Sequence, residues 1–119
     1  MTRTRLIVGL LIGTAAIMAV LFVPVVTVEL DETAVPTAAQ ARLPESITIA
    51  SSGVDCASGG CWLDLAVAPD GATALDELLA MDGRCEPVSV LDRRVVCADV
   101  DTNQDDVVIH VSFRRALGL

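Results

Sequence analysis

Hydrophobic and polar positions divide this chain into three stretches of different period. From Leu6 to Val28 run 23 residues without a charge. A helix over that run rises about 34 Å, enough to cross a hydrocarbon core of about 30 Å. Pro24 has no N–H to donate, so it is expected to kink the helix or end its regular part. Arg3 and Arg5 precede the run, and Glu29, Asp31 and Glu32 follow it. Positive charge stays on the cytoplasmic side, which predicts a cytoplasmic segment 1–5, a transmembrane anchor 6–28 and everything later outside the cell membrane. A cleaved secretory signal is the competing reading. Its apolar region is usually about 7–15 residues, whereas the run to Val23 alone is 18. The triplet Ala39-Gln40-Ala41 lies too far beyond Val28 to be an ordinary cleavage site, and no cysteine precedes Cys56 to take a lipid.

The anchor is uneven around its circumference. Gly9, Gly13, Ala16 and Val20 share one stripe, with Ile7, Leu11, Met18 and Phe22 roughly opposite. Glycines four apart let two membrane helices approach closely, so this stripe is the expected helix-packing face toward other subunits. Chance is the bland alternative, since small residues are common in membrane spans.

Residues 29–46 lose the apolar pattern. Asp31–Ser46 holds two prolines and four alanines, which predicts a linker with at most a helical turn near 38–43. Strand-like alternation then begins. Ile47–Ala50 is a short strand candidate, and Cys61 to Val67 alternates with Cys61, Leu63, Leu65 and Val67 inward and Trp62 and Asp64 outward. Pro69-Asp70-Gly71 is a turn, Thr73 a helix N-cap, and Gly83 the glycine behind the helix end. Val88–Leu91 and Val95–Val100 follow as strands around Asp92–Arg94. Val107–Phe113 is the last strand. The order β-β-α-β-β-β predicts a small α+β domain over 47–119, an antiparallel sheet with one helix on it.

Composition changes the picture in two ways. The segment 29–119 sets six arginines against all 16 acidic residues and contains no lysine. Such a domain does not suit a phosphate backbone, so no nucleic-acid partner is expected. Its four cysteines, Cys56, Cys61, Cys85 and Cys97, are even in number and all follow the anchor. In an oxidising compartment they read as two disulfides, with sequence proximity favouring Cys56–Cys61 and Cys85–Cys97. A four-cysteine zinc site wants paired C-x2-C ligands, and a thiol-exchange site wants C-x-x-C at a helix start; neither spacing is present.

Two constellations resemble chemistry. Asp99, Asp101, Asn103 and Asp105 copy the opening spacing of a calcium loop, but Gln104 replaces the turn glycine and His110 the closing glutamate. The expected state is an acidic, solvated hairpin loop, with weak calcium binding as the alternative. His110 is the only histidine, so any histidine-assisted nucleophile must use it, and alternation turns it away from the core. No catalytic motif and no cofactor site is expected. Trp62, the only tryptophan, is outward by alternation, either covering the second sheet face or serving as an interface anchor. The sequence therefore predicts a non-enzymatic, single-pass accessory subunit of a larger bacterial plasma-membrane complex, of transport or respiratory kind. Its partners would be the lipid bilayer and transmembrane helices of other subunits. A free-standing membrane-tethered binding module with an acidic face is the alternative, and a secreted acidic domain the weaker third.

Overall fold

The computed structural model of the chain describes residues 2–103 and 106–115. It begins with a 29-residue helix, α1 (Thr2–Leu30), which has the length and apolarity of a membrane anchor or a signal sequence. Pro24 lies inside it and does not end it. Thr27 holds the turn after the proline, its hydroxyl donating to the carbonyls of Val23 at 2.9 Å and Pro24 at 2.8 Å. Of the two expectations for Pro24, a kink or the end of the regular helix, the second is corrected: the helix continues to Leu30.

Five strands follow: β1 (Ile47–Ala57), β2 (Gly60–Pro69), β3 (Arg84–Pro87), β4 (Val95–Asn103) and β5 (Asp106–Phe113). A second helix, α2 (Ala72–Leu79), lies between β2 and β3. All neighbours pair antiparallel, and the spatial order is β1-β2-β5-β4-β3. The predicted α+β class and element order thus stand in the fold, as do the two disulfides, Cys56–Cys61 and Cys85–Cys97.

One sheet face carries the core. Leu63, Leu65 and Val67 of β2 meet Ile109, Val111 and Phe113 of β5 and Val96 and Ala98 of β4. Leu78 of α2 and Met81 close over them, each almost fully buried. Alternation predicted this face because a strand turns every second side chain the same way.

Several boundaries differ from the sequence expectation. β1 runs to Ala57 rather than stopping at Ala50, with a register shift between Ile49 and Ser51. As an edge strand it is exposed at every residue after Ile47, so it has no apolar alternation to read. Helix α2 starts at Ala72 with Gly71 as N-cap at φ 93°, and Thr73 lies inside the first turn without capping it. The third strand is the polar segment 84–87, not Val88–Leu91. Residues 88–91 form a tight turn instead, in which Ser89 N–H donates to the Asp92 carbonyl at 3.0 Å and Asp92 N–H to Ser89 Oγ at 2.8 Å. Asp99, Asp101 and Asn103 belong to β4, not to a loop, and Asp105 lies outside the described residues.

Residues 31–46 do not run as an extended tether. Pro36 and Ala41 are buried, and Ala34, Ala38 and Leu43 pack on the core beside a 3-10 turn at Ala39–Ala41. Arg42, with φ 51°, reaches across to donate to the Val88 carbonyl at 2.6 Å. Val28 of α1 joins the same core cluster, so the domain is built directly onto the helix end.

Candidate functional site

The sheet face opposite the core carries the ionisable groups. Its register places Gly53, Asp64, His110 and Asp99 in one row across β1, β2, β5 and β4. The next row holds Ser51, Ala66, Val108 and Asp101. On the other side Asp55 pairs with Trp62, and Ser112 with Cys97. The Cys85–Cys97 bridge lies on this outer face, because Cys97 alternates with the buried Val96 and Ala98.

At the centre, His110 Nδ1 lies 2.5 Å from Asp64 Oδ1, with both side chains about one third exposed. A carboxylate only accepts, so Nδ1 carries the proton and donates to it. Directly cross-strand pairs of this kind stabilise a sheet face by a few tenths of a kcal/mol to about 1 kcal/mol. The contact escapes sequence reading because Asp64 and His110 are 46 residues apart and meet only through the β2–β5 register. Ser112 is the next outward residue on β5, about 7 Å further along the strand. A nucleophile must come within about 2.6–3.2 Å of its base, and no such contact joins Ser112 to His110 among the described residues. The arrangement supports the sheet.

Trp62, Asp99, His110, Ser112 and Arg115 line a shallow groove of about 430 Å³ at one end of this face. Trp62 is half-buried there, on the outward side that alternation assigned it. Arg115 donates to the Asp31 carbonyl at 2.7 Å, and Cys61 N–H donates to the Glu32 carbonyl at 3.1 Å. Two residues of the groove wall, Cys61 and Arg115, are thus tied to the chain just past α1. Gly60 sits at φ 118°, which an L side chain rarely adopts, while a β-carbon there would be in ordinary contact, 3.4 Å from the Glu32 carbonyl oxygen and 3.6 Å from the Arg115 guanidinium. Thr33, through its hydroxyl and its N–H, holds the Asp31 carboxyl below the usual carboxylate range.

The described calcium-like residues, Asp99, Asp101 and Asn103, follow one another along a single strand. Asp99 and Asp101 alternate along β4 about 7 Å apart, opposite His110 and Val108. Among the described residues, no group of three or more His, Cys, Asp or Glu side chains is placed to hold a metal ion. The helix-packing candidates Gly9 and Gly13 face open space, with nothing of their own chain within 4 Å of a β-carbon built there. Ala16 and Val20, higher on that stripe, border a furrow shared with Leu91. Compared with known proteins, the chain matches no family model, no curated protein and no solved structure.

Proposed function

We propose that this chain is a single-pass membrane protein whose disulfide-bonded domain is held against the extracytoplasmic surface of a bacterial plasma membrane. It serves there as a non-enzymatic accessory subunit of a larger transport or respiratory assembly. The attachment of the domain carries this reading. Val28 is buried in the domain core, and the residues at 31 and 32 are hydrogen-bonded to Arg115 and Cys61. The lower helix, by contrast, is exposed on every side. A module that searches space for a ligand needs a free linker, and here residues 31–46 are used up in packing. A domain fixed at the bilayer with an uncovered helix beneath it suits lateral docking, with Gly9 and Gly13 as the smooth face.

The acidic outer face favours a second reading. Asp55, Asp64, Asp99 and Asp101 share one sheet surface, which suits capture of a cationic ligand by a tethered binding module.

One series of variants separates the two readings. Gly9→Leu and Gly13→Leu place bulk on the smooth face, while Met18→Leu keeps volume and hydrophobicity elsewhere on the helix. Particle mass is measured in mild detergent after extraction from the native membrane. The accessory-subunit reading expects the parent and Met18→Leu in a particle heavier than the lone chain, and the glycine variants reduced to the lone chain. A parent already at lone-chain mass favours the tethered module.

A further inference from the structure

The turn joining β3 to β4 is chemically unusual for a water-exposed turn. Its tip is Val90-Leu91, where turns normally carry Gly, Pro, Asn, Asp or Ser. Both side chains are uncovered, Val90 at 83% and Leu91 at 68% exposure. The turn is nevertheless firmly built. Ser89 and Asp92 bond each other through main chain and side chain, Val88 N–H donates to the Arg94 carbonyl at 2.9 Å, and Asp92 is paired with Arg94.

Its position beside the helix gives the tip a place to go. Leu91 borders a furrow with Ala16, Ile17, Val20 and Leu21 of α1, so the turn reaches down past the helix end to the level of the apolar run. Arg93, Arg94 and Arg114 border a second crevice with Val25, Val28 and Glu29. That level is four to thirteen residues above the furrow residues, or about 6–20 Å further out along the helix. Half of the arginines of an otherwise acidic domain are thus gathered on the side next to α1.

From this layering we infer that the β3–β4 turn enters the outer leaflet of the bilayer that α1 crosses. Val90 and Leu91 lie among acyl chains, and Arg93 and Arg114 at the phosphate level. Measured from Val28, the furrow lies about 10–18 Å inside the span, deeper than the roughly 5–10 Å of ordinary interfacial segments, while the basic residues stay with the phosphates as they do there. The inference rests on the reading of α1 as a membrane anchor. It makes the domain a two-point membrane attachment that fixes its rotation about the helix.

Fluorescence depth quenching tests it on the full-length chain. Trp62→Phe removes the native tryptophan, and a single reporter is placed by Leu91→Trp, by Val90→Trp or by Phe22→Trp. Each protein is reconstituted into vesicles of phosphatidylcholine and phosphatidylglycerol with or without brominated acyl chains. Quenching is expected at all three positions, with each tip reporter losing at least half as much intensity as the helix reporter. Quenching from Phe22→Trp with none from either tip variant overturns the inference and leaves the anchor reading standing. A second chain covering the tip gives that same result. Absence of quenching at all three positions overturns both.

Discussion

The N–H of Cys61 donates to the carbonyl of Glu32 at 3.1 Å, joining the first hairpin of the sheet to the chain two residues beyond α1. The contact depends on Gly60, whose φ of 118° an L side chain rarely adopts. Beside it Arg115 donates to Asp31, so three separate parts of the sequence converge where the helix enters the domain. Helix and domain are therefore one structural unit.

Gly60→Ala should cost about 1–3 kcal/mol, from the backbone strain of a side chain at φ 118°. For a domain of this size that is a fall of roughly 4 °C or more in Tm. Gly59→Ala, in open space at the same hairpin, should change Tm by much less. Thermal unfolding of both variants in detergent checks the contrast.

The two disulfides close loops of different length, with sequence separations of 5 for Cys56–Cys61 and 12 for Cys85–Cys97. Loop-closure entropy assigns about 2 kcal/mol to the first and about 3 kcal/mol to the second. Replacing both cysteines of the 85–97 pair by alanine should therefore lower the denaturation midpoint more than replacing the 56–61 pair. Equilibrium unfolding in urea measures the difference, and an inverted order would mean the bridges act through native-state packing instead.

Asp92 responds to acid. Its hydrogen bonds from Arg94 hold its carboxyl below the ordinary value of 3.8, and the same contact raises Arg94. A carboxylate lowered in the folded state contributes stability fully present above its unfolded value and lost as pH falls through the folded one. Asp92→Asn should thus be less stable than the parent by about 0.5–1 kcal/mol at neutral pH, given partial exposure. That gap should hold down to about pH 4 and close below it. Tm against pH for both proteins shows whether it does.

How far each element is legible in the sequence follows its burial. β2 and β5 lie inside the sheet with one buried face, and their period of two marks them as strands from residue pattern alone. β1 and β3 are edge strands with almost every residue exposed, so only Ile47–Ala50 at the start of β1 is legible as strand, and nothing in the polarity of the rest distinguishes it from loop. Val88–Leu91 misleads for the opposite reason: it is apolar, but its tip residues face away from the core. The 31–46 segment reads as a linker because its buried residues are proline and alanine, spaced without period. The outer-face pair Asp64–His110 needs the strand order itself, which local pattern does not encode.

The most direct test of the account is the side of the membrane on which the intact chain places its cysteines. Intact cells are treated with an impermeant reductant and then an impermeant thiol label, and the mass of the labelled chain is read by mass spectrometry. An anchored extracytoplasmic domain predicts labelling at Cys56, Cys61, Cys85 and Cys97 without lysis, on a chain that still carries residues 6–28. Labelling only after lysis, or a labelled chain that has lost the helix, would contradict it.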